Sequence, residues 1–195
     1  MQSNYLSMSS ANMQTPTVGL MSAKIGLPIL KYRQSEDNQL NIKVQEVYFE
    51  EPIMKLIVES SKPARGAAAY IRMSVFVLER GIAFRDEFDD KDSDSMVYAV
   101  LFDDKVPVAT CRFETYNDHT LKVGRVATLK EARGHGFGRK VVSALEDKAK
   151  QMGFTHSLIH SEMDAVKFYQ RLGYEITSDV FYEDGVPCVV VEKDL

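Results

Sequence analysis

The sequence predicts a mixed α/β domain built on one mainly antiparallel sheet. Short alternating or apolar runs such as Val106 to Tyr116 and Leu121 to Thr128 read as strands. Amphipathic stretches that stop at Gly81, Gly153 and Gly173 read as helices set among those strands. No internal repeat is present, which excludes a solenoid.

In chain order, residues 1–43 stand apart. They are rich in Ser, Asn, Gln and Met, carry Pro16 and Pro28, and have no acidic residue before Glu36. They are expected to form an N-terminal extension, either disordered or an arm that packs on a partner subunit. The globular domain is expected over 44–195, opening with the alternating run Val44-Gln45-Glu46-Val47-Tyr48-Phe49. A helix is expected from Pro63 or Ala64 to Glu79, with Ala68, Ile71, Val75 and Leu78 on its apolar face. The acidic loop Asp86 to Asp94 follows. Strands are expected at Met96 to Phe102, at Val106 to Tyr116, and at Leu121 to Thr128, where an internal Gly124 suggests a bulge. A helix from about Gly138 to Met152 presents Val141, Leu145, Ala149 and Met152 on one face. Thr155 to His160 is a short strand. Ser161-Glu162-Met163-Asp164 has capping-box spacing ahead of a helix bearing Ala165, Phe168, Tyr169 and Leu172. Tyr174 to Thr177 and Val186 to Val191 end the chain as strands, joined through the turn Glu183-Asp184-Gly185.

Bulk properties narrow the function. The 195 residues carry a net charge of −4, which argues against a nucleic-acid partner. No apolar run is long enough to span a bilayer, so no membrane partner is expected. Two distant cysteines, Cys111 and Cys188, form no disulfide framework, and a cytoplasmic setting is the default. His156 and His160 lie i, i+4 on a strand and do not converge as zinc ligands, so no metal is expected. Asp90, Asp92 and Asp94 begin like a calcium loop, but Ser95 and Leu101 stand where its glycine and bidentate glutamate belong.

The chemistry concentrates in Arg133-Gly134-His135-Gly136-Phe137-Gly138, a glycine-rich loop running into a helix. Such a loop presents backbone N–H groups and a helix N-terminus to a phosphate. It does not match a P-loop, because no Gly-Lys-Ser/Thr follows. Nor does it match the dinucleotide fingerprint, whose third glycine falls one residue later.

The pattern Arg-x-x-Gly-x-Gly, here Arg133, Gly136 and Gly138, resembles motif A of the GNAT superfamily of acetyl-coenzyme-A-dependent N-acyltransferases. Val123 to Thr128 is similar to that family's central strand, and Phe168-Tyr169-Gln170-Arg171-Leu172-Gly173-Tyr174 to its motif B. The resemblance implies a GNAT fold: a mixed, mainly antiparallel sheet, flanked by helices, whose parallel strands 4 and 5 splay apart. It also implies acetyl-coenzyme A as co-substrate. Amides of Arg133, Gly134, His135, Gly136, Phe137, Gly138 and Arg139 would hold the pyrophosphate, with Arg133, Arg139 and Lys140 as countercharges. Val126, Ala127 and Thr128 would bind pantetheine as an added strand, and Phe168 would line its channel. The acceptor would be a primary amine on a small molecule or a lysine. Relatives often dimerise, so a homodimer is an implied state.

Tyr169, the motif B tyrosine, is by resemblance the general acid for the departing thiolate. The base is open, because the family's common strand glutamate is replaced by Gly124-Arg125. Candidates are Glu162, which could instead be a cap or a coenzyme contact, and Glu79, Glu87 and Asp89 on the acceptor side, where the acidic loop would attract a cationic amine. A water chain is a further route. Arg72 to Val77, Glu87-Phe88-Asp89, Tyr98 and Cys111-Arg112 look like the N-terminal signature of acyl-homoserine-lactone synthases, which share this fold but usually lack the glycine loop. A related acyltransferase and a non-catalytic coenzyme-A-binding module are therefore the alternatives to an N-acetyltransferase.

Overall fold

The computed structural model describes residues 53–195; the extension at 1–43 and the expected strand at Val44 to Phe49 lie outside the described residues. The described residues form one mixed sheet with helices on both faces. Its strands are β1 Met54–Glu59, β2 Tyr98–Asp103, β3 Val106–Thr115, β4 Thr120–Thr128, β5 His156–Glu162, β6 Glu175–Ile176, β7 Phe181–Glu183 and β8 Val186–Asp194. They lie in the order β1-β2-β3-β4-β5-β8-β6, with β7 also on β8. Only β4 and β5 run parallel; the other pairings are antiparallel. The Glu183-Asp184-Gly185 turn closes the β7–β8 hairpin, with Asp184 and Gly185 both at positive φ, as a tight primed turn requires.

Helix α1, Lys62–Arg72, starts where Ser61 accepts a hydrogen bond from the Ala64 amide at 3.3 Å, and Pro63 fits its first turn. It does not continue to Glu79 as an α-helix. Met73–Glu79 is a π-helix. Ser74 donates its hydroxyl to the Tyr70 carbonyl at 2.9 Å, competing for a backbone acceptor at the point where the winding widens. The wider period keeps Val75 and Phe76 inside but turns Leu78 outward, 75% exposed, against its expected place on the apolar face. Helix α2, Phe84–Glu87, is one turn inside the acidic segment.

Helix α3, Phe137–Gln151, buries Val141, Val142, Leu145 and Ala149 against the sheet. Met152, placed on that face by its spacing, is exposed beyond the helix end. The expected capping box does not form. Ser161 is buried and donates to the Glu162 carbonyl, and a 3₁₀ turn, Met163–Ala165, leads into α4, Val166–Gln170.

The sheet's two faces differ in chemistry. The α3 face carries Cys111, whose thiol donates to the Val141 carbonyl at 3.3 Å. It also carries the buried set Ser157, Tyr174 and Glu146. Tyr174 donates to Glu146 at 2.8 Å, and Lys193 donates to the other carboxylate oxygen at 2.8 Å. The α1 face carries ions. Arg72, 1% exposed, donates to Glu87 Oε1 at 2.5 Å, to the Glu87 carbonyl at 2.6 Å, and to both oxygens of Asp92 at 2.6 and 2.9 Å. Arg112, also 1% exposed, grips Asp89 at 2.8 and 3.1 Å and Glu114 at 3.0 and 2.8 Å. Tyr98 donates to Asp92. This network ties the acidic segment to α1, β2 and β3. Removing one partner from such a set would leave a buried charge uncompensated, at a cost of roughly 3–5 kcal/mol.

Asp92 gives the network a pH signature. Burial opposes its charge, but bonds from Arg72 and Tyr98 prevail and hold its pKa at about 2, below the ordinary aspartate value of 3.8. A carboxylate depressed in the folded state contributes stability that is complete above its unfolded pKa and is lost as pH falls through the folded one. Thermal unfolding from pH 7 to 2 should therefore show Asp92→Asn less stable than wild type at neutral pH. The gap should close between about pH 4 and pH 2.

Candidate active site

The site begins with a bulge. Arg112 pairs with Gly124 and Thr110 with Ala127, so Arg125 and Val126 together face Cys111. Arg125 takes the left-handed conformation, φ 49°, which costs a non-glycine residue about 1 kcal/mol. A bulge bends and twists its strand. Upstream of this one, β4 is paired with β5 only at Thr120–His156, Leu121–Ser157 and Lys122–Leu158. Beyond Lys122 the two strands part, and from Ile159 to Glu162 strand β5 pairs with β8 alone. The edge of β4 carrying Val126, Ala127 and Thr128 therefore faces an open wedge.

At the end of β4 a 3₁₀ turn, Lys130–Ala132, leads into the glycine loop. Gly134 and Gly136 adopt φ of 81° and 75°, and Gly136 caps α3 in the left-handed region. Among the described residues, nothing accepts a hydrogen bond from the amides of residues 134–139. His135 folds over the loop, its Nδ1 3.0 Å from the Arg133 carbonyl and its ring stacked on Phe137 at 5.6 Å. Gly138 sits against the wedge. A Cβ there would lie 3.3 Å from Phe168 Cζ and 3.4 Å from Thr128 Oγ1, so the loop, motif B and the β4 edge converge at this point.

Arg133, expected as a countercharge, is engaged within the chain. Its Nε donates to the Thr128 carbonyl at 3.1 Å, and its two terminal nitrogens grip Glu79 at 2.7 and 2.6 Å. The pair raises the arginine's pKa and lowers that of Glu79. Arg133 thus brackets the end of β4 to the end of the π-helix. Arg139 and Lys140 stay exposed at the loop.

Tyr169 is 6% exposed on α4, edge-on to Phe168 at 4.9 Å and to Tyr174 at 6.0 Å. Its hydroxyl has no hydrogen-bond partner among the described residues. Burial pushes its pKa well up, helped by Cys111 and Glu162, so it holds its proton at neutral pH. Glu162, at the end of β5, pairs with Arg80 at 2.7 Å.

The remaining acceptor-side candidates carry partners too. Glu87 is 1% exposed and meets both Arg72 and Arg125, the latter at 3.0 Å; burial nonetheless raises its pKa. Asp89 is held by Arg112 and Arg125, and its pKa is lowered. These two are struts of the network rather than free charges on a negative lip. Gly124, where a strand glutamate was sought, has a steric reason. A Cβ at 124 would lie 2.7 Å from Glu114 Oε1, so the neighbouring strand's carboxylate fills that space. Sequence reading gave no role to Glu114, Arg80 or Arg125; Glu114 and Arg125 gain meaning from the β3–β4 register, and Arg80 from the end of the π-helix, which brings it to Glu162. The lactone-synthase-like residues Arg72, Glu87, Asp89, Tyr98 and Arg112 do converge, but on the ionic network.

Comparison with known proteins agrees with this geometry. The model of the Acetyltransferase (GNAT) family matches residues 67–174. The uncharacterized protein YyaT of Bacillus subtilis is 37% identical over 130 residues, spanning 66% of this chain and 87% of that one. A crystal structure from Lactobacillus plantarum, described only provisionally as an N-acetyltransferase, is 46% identical, with a TM-score of 0.71 over 73% of this chain and 98% of that one. N-acetylglutamate synthase from Neisseria gonorrhoeae, solved with coenzyme A and N-acetyl-glutamate, shares the fold at 16% identity and a TM-score of 0.54, over 75% of this chain and 36% of that one. A central strand bulged and splayed from its parallel neighbour, followed by a glycine loop of unpaired amides, is thus housed in a chain that belongs to the GNAT acetyltransferase family.

Proposed function

We propose that this protein is an N-acetyltransferase that moves the acetyl group of acetyl-coenzyme A directly to a primary amine. The observation that carries the reading is the row of unpaired amides at residues 134–139, at the N-terminus of a long helix and beside an open strand edge. Donors left without partners are matched by a diphosphate, and the helix end favours its charge. Arg139 and Lys140 supply cations, while Val126, Ala127 and Thr128 offer strand-like hydrogen bonds to the two amides of pantetheine. Phe168 packs beside Gly138, where the cofactor arm would enter the wedge.

The chemistry requires an unprotonated nitrogen and a proton for the departing sulfur. A buried, unpartnered Tyr169 with a raised pKa remains a proton donor at pH 7, as a general acid must. Glu162 would contact either the acceptor or the cofactor by exchanging Arg80 for a ligand. Two buried free thiols accord with a reducing cytoplasm. The lactone-synthase-like segment serves as an ionic staple, and the glycine loop that such synthases usually lack favours acetyl-coenzyme A over an acyl carrier as donor. A non-catalytic coenzyme-A-binding module is the competing reading, motivated by Gly124 in place of a strand glutamate.

Coenzyme A release, measured over a panel of polyamines, amino sugars, amino acids and lysine peptides, separates these readings. Turnover on at least one amine is expected. Tight binding of acetyl-coenzyme A without turnover on any of them would assign the module. Tyr169→Phe should lower kcat by roughly 100-fold, within the range general acids supply, and leave coenzyme affinity near wild type. Unchanged kcat would remove Tyr169 from the mechanism. Gly136→Asp sets a carboxylate among the phosphate-facing amides. Aspartate tolerates a positive φ, so the fold should persist while calorimetry shows coenzyme A binding at least about 100-fold weaker.

A further inference from the structure

Acyl transfer by the proposed route leaves one group unassigned, the base that takes the ammonium proton. Its position is constrained. The cofactor loop, α3 and Tyr169 share one face of the sheet, so the amine meets the wedge from the other. On that face β3 presents Arg112 and Glu114, which pair with Gly124 and Lys122 of β4. Lys122 pairs in turn with Leu158 of β5. Alternation along β5 then sets Leu158, His160 and Glu162 on the amine's side, with His160 in the part of β5 that β4 has left.

The carboxylates considered for this role are bound to arginine: Glu79 by Arg133, Glu87 by Arg72 and Arg125, Asp89 by Arg112 and Arg125, and Glu162 by Arg80. Glu114 is held by Arg112 and Lys91, with its pKa lowered. Each of these carboxylates is thus already engaged by a cation within the chain. His160 has different company. Its Nδ1 lies 3.1 Å from Glu183 Oε2 on β7 and 3.2 Å from Lys122 Nζ on β4, and the Phe181 ring packs edge-on at 5.2 Å. Three neighbours from two other strands fix the ring, which is 27% exposed. Its Nε2 makes no hydrogen bond among the described residues.

We propose that His160 is the general base of the acetyl transfer, with Glu183 as the positioning residue that fixes its tautomer; this rests on the N-acetyltransferase reading above. Nδ1 meets two opposite demands, since Glu183 Oε2 can only accept and the Lys122 ammonium can only donate; in the proposed tautomer Nδ1–H is donated to Glu183, and the lone pair lies on Nε2. Nε2 takes one proton from the substrate ammonium, and the freed nitrogen attacks the thioester carbonyl carbon. The C–N bond forms and the C–S bond breaks. The thiolate takes a proton from Tyr169, and the attacking nitrogen's second proton restores the tyrosine. The imidazolium, facing the Glu183 carboxylate, releases its proton to solvent. Imidazole is the side chain whose ordinary range lets it cycle between both states near neutral pH.

The test reads tautomer and rate separately. Nitrogen-15 NMR of the full chain with labelled histidine, assigned against His160→Gln, should show neutral His160 protonated at Nδ1, and Glu183→Gln should change that signal. A ring protonated at Nε2 would overturn the proposal whether or not any amine turns over. On the fastest amine of the panel, His160→Ala should lower kcat/KM about 100-fold. It should lose the acidic limb of the wild-type pH profile and regain activity with added imidazole, while coenzyme A binding and the unfolding midpoint stay near wild type. Unchanged kcat/KM, or a loss that imidazole does not relieve in a folded variant, would also overturn it. A wild type that binds coenzyme A but acetylates no amine would instead defeat the acetyltransferase reading.

Discussion

The extra residue in β4 is the constraint on which the centre of this protein depends. If Arg125 and Val126 did not share one partner, β4 could stay paired with β5 along its length, and the wedge would close into ordinary parallel sheet. The bulge puts a non-glycine residue at positive φ, a strained choice. Its cost is offset by the contacts of the Arg125 side chain, which meets Glu87 at 3.0 Å and Asp89 at 3.5 Å and donates to the Asp86 carbonyl at 3.3 Å. The bond to the Asp86 carbonyl is charge-assisted, a class about twice as strong as neutral hydrogen bonds, whereas Nε meets Glu87 as an ion pair without hydrogen-bond geometry. The acidic segment therefore holds the bulge in place.

That dependence explains why so many charges are buried on one face. Arg72 and Arg112 orient Glu87, Asp89 and Asp92, and two of these carboxylates then receive Arg125. A buried ion set is seldom stabilising relative to apolar packing of the same volume, because desolvation offsets most of the attraction. Here it does something apolar packing cannot. It gives the acidic segment, α1, β2, β3 and the bulge a single mutually consistent arrangement, and the width of the wedge follows from it. Gly124 belongs to the same arrangement, since its missing Cβ admits the Glu114 carboxylate that completes the coordination of Arg112.

Elements whose signals are local were legible in the sequence. Helix α3, the β7–β8 turn and the glycine loop each follow from residue spacing and glycine placement, and the two short motifs identified the family. Features set by partners distant in the chain were not legible. Nothing in Met73 to Glu79 announces a π-helix, because its apolar spacing fits either winding until Ser74 claims the Tyr70 carbonyl. The capping box at Ser161 failed because the strand continues through that residue and buries its hydroxyl. Strand β1 went unread because it alternates weakly and leaves Met54 and Leu56 exposed. The acidic loop misled most. Its composition suggests solvated negative charge, whereas three arginines from α1, β3 and β4 absorb much of it, and only register brings them there.

The pairing of charges divides the two sides of the wedge electrically. On the cofactor side, unpaired amides, a helix N-terminus and the exposed Arg139 and Lys140 leave an uncompensated positive field, suited to a ligand with several negative charges. On the opposite side, Glu79, Glu87, Asp89 and Glu162 each face an arginine, and the field of these pairs falls away within a few ångströms. Long-range attraction would therefore favour the nucleotide cofactor and do little for a cationic acceptor. An amine would have to be recognised at contact range, by groups such as His160, Glu183 and Glu162 at the mouth of the wedge.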